Sequence, residues 1–233
     1  MPGFIIHLAE ATMIMGFMEQ KPDAKWQHEF LMGALLPDTR LGIEKQTSHF
    51  WADAWEENIA RAPKLELFLK KYGYRLHEPV ILGYYAHLYL DERYVNHYWP
   101  MILEFRDVLG HPEPRKEFIH DVRLKQNGKV IPFEEFFTVE NYYGDYTRSN
   151  HWLVERYHLK TPVYSLLEHV DMDEVQAQDL KRVIDELDHI CQSGHIGDER
   201  TMAVFDLNSL DDFVQRTAKE FWEHIQQLNI NCL

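Results

Sequence analysis

The most informative chemistry-bearing segment is residues 82–91, in which His87 and Asp91 lie four positions apart. If this apolar stretch is a helix, that spacing offsets the two side chains by about 40°, so both point the same way one turn apart. An imidazole nitrogen and a carboxylate oxygen placed in this way can bind one divalent ion. The alternative is a packing histidine and an aspartate at a solvated helix end, which is the commoner origin of an isolated pair of this kind.

Three further residues of the same chemical types lie at the edges of apolar segments. Asp38 ends one apolar run, His49 precedes two large aromatic residues, and His7 lies within the apolar N-terminal stretch. Each also fits an ordinary role as a turn, cap or packing residue. Burying an unpaired carboxylate costs several kcal/mol, however, so apolar helices that carry aspartates need a cation or another partner. Together with His87 and Asp91, these residues predict a metal centre.

Helices must position these residues, because apolar side chains recur at spacings of three and four through most of the chain. The pattern predicts seven to nine helices, at about residues 4–19, 26–36, 50–61, 64–72, 80–99, 100–118 (interrupted), 150–157, 172–193 and 209–228, the last two joined by a loop at 194–197. Around Asn127-Gly128 the pattern alternates instead, and that dipeptide favours a hairpin turn. We therefore expect an all-α, multi-helix bundle forming one domain over residues 1–233, with a small β-hairpin insertion at about 121–133.

The composition limits the class of protein. The 233 residues are 45% hydrophobic, enough to bury a sizeable core. The formal net charge of −14 repels phosphate backbones and the basic residues are scattered, so we expect no nucleic-acid partner. No stretch reaches the ~20 apolar residues of a membrane span, and the N-terminus lacks the basic region of a signal peptide. Because Cys191 and Cys232 form no disulfide framework, we expect a cytoplasmic protein.

Four segments, in this order, resemble motifs of the zinc-dependent phospholipase C / P1 nuclease-like superfamily. They are Phe4-Ile-Ile-His7-Leu-Ala, Gly33-Ala-Leu-Leu-Pro-Asp38, His49-Phe50 and Leu82-Gly-x-x-x-His87-x-x-x-Asp91. The resemblance covers the first hundred residues and implies a phospholipase C/P1 nuclease-like bundle that binds zinc. It implies that four residues surround one ion: Asp38, His49, His87 and Asp91. His7 would contribute to a second ion, with Asp91 as a bridge, and Asp38 would be the general base.

The chain departs from that superfamily where a third ion would bind. Members also use the amino terminus of the mature chain, a further histidine and a later His-x-x-x-Glu pair. His97 and His111 are the candidates here for additional ligands, but Arg115 stands where the glutamate is expected. We therefore expect one or two divalent ions, zinc by the resemblance.

The resemblance implies a metal-dependent hydrolase that acts through metal-activated water on a soluble phosphodiester or a lipid-like small molecule. Four residues are candidates for contacts with such a substrate: Arg40, Lys45, Phe50 and Asp145. Arg40 and Lys45 lie between two predicted ligands, although both fit the alternative of solvated loop charges. Asp145 belongs to a segment rich in polar and aromatic groups.

Two other interpretations remain open. The literal pair His120-Asp121 is typical of a metal phosphohydrolase of the HD type, but it adjoins the predicted hairpin rather than lying in a long helix. The second alternative is a non-catalytic helical protein with a structural metal site. A fully closed ligand set would favour that alternative, and a position open to water would favour an enzyme.

Overall fold

The structure, a computed structural model, describes residues 3–52, 57–162, 167, 169–192 and 201–228. Its α-helices are α1 Phe4–Gly16, α2 Ala24–Gly33, α3 Glu44–Ser48, α4 Leu65–Tyr72, α5 Pro79–Arg93, α6 Trp99–Ile102, α7 Phe133–Phe136, α8 Tyr142–Tyr157, α9 Leu180–Gln192 and α10 Leu207–Gln227. Its strands are β1 Leu103–Arg106, β2 Asp121–Leu124 and β3 Val130–Pro132. These elements confirm the expected class, a mainly helical chain with a small β insertion. In these ranges, no helix has the length and apolar character that a membrane crossing requires.

Helix α5 runs through the middle of the molecule. Pro79 stands in its first turn, where a missing N–H costs little, and every residue from Ile81 to Asp91 is buried. A helix that is buried on every side has to be covered on every side. Helices α1, α2, α4 and α10 pack against α5, and their apolar side chains form one continuous core with it. His87 and Asp91 therefore lie in the interior and not at a solvated helix end.

Two glycines let α2 and α5 approach each other backbone to backbone. A Cβ atom on Gly83 would lie 2.0 Å from the carbonyl oxygen of Phe30, and one on Gly33 would lie 2.2 Å from that of Val80. Any larger side chain would overlap the facing helix at these distances. The close contact brings the end of α2, and the Leu36–Thr39 turn that follows it, against the middle of α5.

The predicted helices at the start and end of the chain are confirmed. Helices α1, α2, α4 and α10 lie within a few residues of the ranges that the apolar periodicity predicts. The predicted helix at 80–99 is present as α5, which continues through a π-helical turn at Tyr94–Tyr98 into α6.

The helix predicted at residues 50–61 is wrong in the part that the structure describes. Helix α3 lies earlier, and the chain leaves it with Phe50 at a positive φ of 53°. Trp51 then forms a β-bridge with Pro63, a pairing between distant backbone groups that a local apolar pattern does not reveal. Residues 53–56 of this prediction lie outside the described residues.

The predicted β-hairpin is present but belongs to a larger sheet. Strands β2 and β3 form the hairpin expected at 121–133, and β1 pairs antiparallel to the other side of β2, giving the order β1-β2-β3. The helix predicted at 100–118 is therefore wrong, since α6 ends at Ile102 and β1 follows. A hairpin alone is marginally stable, and the third strand adds cross-strand pairs such as Phe105 with the buried Val122.

Helix α8 begins at Tyr142 and not near residue 150 as predicted. Its buried side chains include Tyr142, Asp145, Ser149 and Leu153, which repeat at the helical spacing of three and four. Gly144 lies inside this helix. A Cβ atom there would be 1.9 Å from the carbonyl oxygen of Val139, so the glycine permits a close backbone contact at the start of α8.

Helix α9 begins later than the predicted residue 172, after a 3-10 turn at Ala177–Asp179. Its buried residues, Leu180, Val183, Ile184 and Leu187, form one apolar face. The loop predicted at 194–197 and the residue Cys232 lie outside the described residues.

We predict that Gly83→Ala destabilises the protein by roughly 1–3 kcal/mol, because the new methyl group would push α2 away from α5. Gly16→Ala is the matched control, since no atom lies within 4 Å of a Cβ atom at that position. The free energy of unfolding of the control should be unchanged or up to about 1 kcal/mol higher than that of the wild type, because alanine is a better helix former than glycine. Urea unfolding followed by circular dichroism measures both variants. Equal stability of the two variants would contradict the close contact of the helices.

Candidate metal centre

The predicted metal ligands meet in the interior. Two groups of three residues can each hold an ion: His7, His87 and Asp91, and Asp38, His49 and His87. Within each group the ligand atoms lie within 4.8 Å of one another, and His87 belongs to both. Helix α1 supplies His7, the Leu36–Thr39 turn supplies Asp38, and α5 supplies His87 and Asp91. His49 follows directly after α3.

The distances between these side chains converge on Asp91. His7 Nε2 lies 3.4 Å from Asp91 Oδ1, and the Nε2 atoms of His49 and His87 lie 3.5 and 3.6 Å from Asp91 Oδ2. His49 Nε2 is also 3.6 Å from Asp38 Oδ1. These separations exceed those of good hydrogen bonds, which are about 2.7–3.2 Å. The groups face one another without being bonded to one another.

The orientation of His87 is set by a backbone contact. Its Nδ1 atom lies 2.8 Å from the carbonyl oxygen of Ala34, the residue that follows α2. A carbonyl oxygen only accepts, so Nδ1 carries the proton and Nε2 presents a lone pair to the centre. The close approach of α2 and α5 at Gly33 and Gly83 makes this hydrogen bond possible. Supporting bonds of this kind commonly orient metal-binding histidines.

Ser48 orients the ring of His49 in the same sense. Its Oγ atom lies 3.0 Å from the carbonyl oxygen of Pro37 and 2.9 Å from His49 Nδ1. Since the carbonyl can only accept, we assign the hydroxyl proton to that contact and the Nδ1 proton to the contact with Oγ. His49 Nε2 then also carries a lone pair, and it faces His87 Nε2 at 3.4 Å. Two facing lone pairs beside two carboxylates repel one another unless a cation lies among them.

Burial and neighbouring charges determine the protonation of the centre. Burial lowers the pKa of His7 to about 4 and also lowers the pKa of His49, so both rings are neutral at neutral pH. Burial opposes ionisation of Asp38, but the Lys45 ammonium holds its pKa well below the usual range. For Asp91, burial is likewise outweighed by contacts with neighbouring imidazoles, which hold its pKa well below the usual range.

Unpartnered atoms concentrate at this site. Both ring nitrogens of His7, both oxygens of Asp91 and Oδ2 of Asp38 are buried without a hydrogen-bond partner among the described residues. Buried polar groups are normally satisfied, and leaving one unsatisfied costs about 1–3 kcal/mol. An ion would bind the carboxylate oxygens and the one ring nitrogen of His7 that carries a lone pair, so the donor set fits a divalent metal.

Glu10 is a buried acidic residue that the sequence prediction did not include. It lies on α1 three positions after His7 and is fully buried, and burial raises its pKa well above the usual range. Neither of its carboxylate oxygens has a hydrogen-bond partner among the described residues. The signal available in the sequence was an acidic residue in an otherwise apolar helix, one turn after a predicted ligand.

A cleft of about 430 Å³ opens beside the centre and is lined by Asp38. Its other lining residues are Gly3, Phe4, Leu41, Lys45, Phe137, Tyr142, Tyr143, Tyr146, Arg182 and Glu186. Sequence patterns gave no reason to select Arg182, which comes from α9 and donates hydrogen bonds to the carbonyl oxygens of Asp38 and Thr39. Solvent therefore approaches the centre from the side of Asp38.

Among the predicted substrate contacts, Lys45 lies beside the centre, with Nζ 2.8 Å from Asp38 Oδ1. Arg40 instead binds the carbonyl oxygen of Glu174 and pairs with Asp179, so its guanidinium ties the Leu36–Thr39 turn to the segment before α9. Its role in the structure is thus a connection between chain segments.

Phe50 and Asp145 serve the fold. The ring of Phe50 packs edge to face against Phe68, Tyr72 and Tyr84. Asp145 is fully buried. It accepts hydrogen bonds from three consecutive backbone N–H groups, those of Ala203, Val204 and Phe205, and from Arg148. The Asp145 carboxylate thus holds the segment that leads into α10, and its oxygens already have hydrogen-bond partners. Asp145 is not among the residues that line the cleft.

The remaining histidine candidates lie away from the centre. His97 is exposed and contacts Arg93, and His111 is exposed near Asp107. His120 is exposed as well, while the adjacent Asp121 pairs with Arg106. None of these residues joins either three-residue group in the described part of the chain.

A pH dependence follows from the buried imidazole of His7. Its pKa of about 4 in the folded protein lies below the ordinary 6.5, so between these values the unfolded chain binds a proton that the folded chain does not. In chelator-treated protein, the stability of the wild type relative to His7→Gln should therefore fall by roughly 3 kcal/mol from pH 6.5 to pH 4. Denaturant unfolding across this range measures the difference. Exposed His111→Gln is the control and should track the wild type, and a pH-independent difference for His7→Gln would contradict the prediction.

Comparisons with protein-family models, with curated proteins and with solved structures gave no significant match to this chain. The structure itself offers a buried set of imidazole and carboxylate donors that can hold a metal ion.

Proposed function

We propose that this chain is a metal-dependent phosphoester hydrolase of the zinc-dependent phospholipase C / P1 nuclease-like superfamily. The observation that carries the proposal is the pair of Nε2 atoms of His49 and His87, which face each other at 3.4 Å beside two buried carboxylates and a cleft. The order of the four sequence motifs supports the choice of superfamily.

The donor set supports zinc and a count of one or two ions. Imidazole nitrogen and carboxylate oxygen are both usual zinc ligands. Asp38, His49 and His87 would hold the first ion, with Asp91 close to the same imidazoles. His7 and Asp91 would hold the second, at the side of the centre that faces α1.

A bound divalent ion supplies a nucleophile at neutral pH by lowering the pKa of water from about 15.7 to about 7. Asp38 is placed to accept the proton, because its carboxylate lines the cleft and its second oxygen, Oδ2, has no partner among the described residues. Lys45 keeps Asp38 ionised through a 2.8 Å contact. The same ammonium lines the cleft, where it can pair with an oxygen of the substrate phosphate.

The walls of the cleft favour a small phosphoester with an apolar or lipid-like group. Aromatic side chains of α8 and the residues before it form one wall, and the exposed Leu41 and Tyr143 stand at the opening. Two cations, Lys45 and Arg182, line the cleft and would attract a phosphate while keeping their contacts with the Asp38 carboxylate and the nearby backbone. A volume of about 430 Å³ lies within the usual range for small-molecule sites, about 300–1,000 Å³.

The alternative is a non-catalytic protein with a structural metal site. The complete burial of His7, His49, His87 and Asp91 favours it, since structural ions are enclosed by their ligands. The two proposals differ at Asp38, which reaches the cleft. An ion that exchanges its water with solvent supports the enzyme, and a fully ligated ion supports the structural site.

The decisive test removes the ligand that both groups share. We expect His87→Ala to lose the first ion and to lower hydrolysis of bis(p-nitrophenyl) phosphate at least 100-fold, whereas exposed His111→Ala keeps the ion count and the activity of the wild type. Metal analysis by mass spectrometry after reconstitution with zinc gives the ion count, and circular dichroism checks folding. The proposal fails if the wild type takes up no ion, or if His87→Ala remains active.

A second test concerns Lys45. Lys45→Met should raise KM for a phosphodiester roughly tenfold while leaving the zinc count unchanged, because one charge-assisted hydrogen bond to phosphate is lost. The acid limb of the pH–rate profile should also move to higher pH, since Asp38 loses the ammonium that depresses its pKa. Lys25→Met, an exposed lysine on α2, is the control and should change neither quantity. A Lys45→Met variant with an unchanged KM and pH profile would contradict the assigned role.

A further inference from the structure

Glu10 is a third acidic residue in the interior that the proposed mechanism does not use. It is fully buried on α1, three positions after His7, so the two side chains leave the same side of the helix one turn apart. Helix α1 packs against α5, α8 and α10, and these contacts exclude water from this side. A carboxyl group in such a place is unfavourable in either protonation state unless something binds it.

The pattern of unsatisfied atoms links Glu10 to the metal centre. Among the buried side chains of the described residues, three have two polar atoms each without a hydrogen-bond partner: His7, Glu10 and Asp91. Every other buried side chain of the described residues that has an unpartnered polar atom has just one. The three exceptions belong to two helices in contact with each other, α1 and α5. One shared cation would bind the carboxylate oxygens of Glu10 and Asp91 and the single lone pair of the His7 imidazole.

The donors on this side of the centre are of the types that bind a cation. The carboxylate of Asp38 is paired with Lys45, whereas the side chains within 4 Å of Asp91 in the ion-pair geometry are imidazoles. Glu10 is fully buried on the helix that carries His7, and this helix packs against α5, which carries Asp91. This side of the centre therefore offers two buried carboxyl groups and an imidazole without hydrogen-bond partners among the described residues. Carboxylate oxygen and imidazole nitrogen are both ligands of divalent cations.

We propose that Glu10 is a ligand of the ion bound by His7 and Asp91, an inference that rests on the proposed function. In the structure Glu10 lies outside the two three-residue groups, so its side chain must turn to reach the ion. Since no hydrogen bond among the described residues holds its carboxylate, this rotation breaks none. The second ion is then held by a Glu, a His and an Asp on the side of the centre that faces α1, whereas Asp38 faces the cleft.

The test uses Glu10→Gln, which keeps the size of the side chain and removes the charge. We expect the wild type to bind two zinc ions, and we expect the variant to bind the second at least tenfold more weakly with the first unchanged. Competition with a chromophoric chelator and mass spectrometry measure affinity and count. Glu174→Gln is the matched control, because Glu174 is also buried but is bonded to Lys71 and Tyr72. The control should bind both ions as the wild type does.

Thermal unfolding separates a ligand from a packing residue. The metal-free Glu10→Gln variant should unfold at the same or a higher temperature than the metal-free wild type, because a buried acidic group has been removed. Its rise in Tm on adding zinc should be smaller. If Glu10 only packs in the core, the substitution should lower the Tm of the metal-free and the zinc-bound protein by equal amounts. Glu10→Asp, which keeps the charge but shortens the side chain, should lie between the wild type and Glu10→Gln in affinity for the second ion.

The outcomes are distinguishable. The role of Glu10 is overturned if Glu10→Gln binds zinc as the wild type does. It is also overturned if the substitution lowers the Tm of the metal-free and the zinc-bound protein equally. Either result leaves the proposed function standing. A wild type that takes up no zinc overturns the proposed function, and this inference with it. A wild type that binds one ion, with the same affinity in Glu10→Gln, also overturns the role of Glu10.

Discussion

One hydrogen bond, from Nδ1 of His87 to the carbonyl oxygen of Ala34, sets the geometry on which the centre depends. It joins the middle of a fully buried helix to the end of its neighbour, and it is possible because Gly33 and Gly83 let the two backbones meet. With the ring fixed in this way, its Nε2 atom faces His49 and Asp91. The position of the donors is therefore determined by backbone packing between α2 and α5, and small changes in that packing would move every distance in the centre.

The same geometry couples folding to charge. Apolar helices carry acidic groups into a water-excluded interior, where ionised groups without partners are strongly disfavoured. Lys45 compensates for Asp38, but the neighbours of Asp91 are imidazoles, and burial lowers the pKa of two of them, His7 and His49. An ion that binds the folded chain and not the unfolded one would add stability in proportion to the logarithm of its concentration. Without an ion, the unpartnered donors of the centre would destabilise the core. A bound ion would connect α1, α5 and the Leu36–Thr39 turn.

The sequence predicted the local features of this arrangement and missed the long-range ones. Helical spacing placed His87 and Asp91 together, and motif order added Asp38, His49 and His7, all of which the fold brings to one place. The helix expected at 50–61 was wrong because the chain there forms a β-bridge between Trp51 and Pro63. The role of Asp145 depends on amide groups nearly sixty residues away. The sequence did not predict Glu10 as a candidate ligand, because only the three-dimensional packing shows that its carboxyl group is buried without a hydrogen-bond partner among the described residues.

The cleft has a further consequence because its two sides come from different parts of the chain. The candidate ligands all belong to the first hundred residues, whereas Phe137, Tyr142, Tyr143, Tyr146 and Arg182 belong to α9, α8 and the segment before α8. The residues that could hold an ion and the residues of α8 and α9 at the opening can therefore vary independently in evolution or by design. Substitutions on the exposed side of α8 would change the shape and polarity of the opening without disturbing the donors.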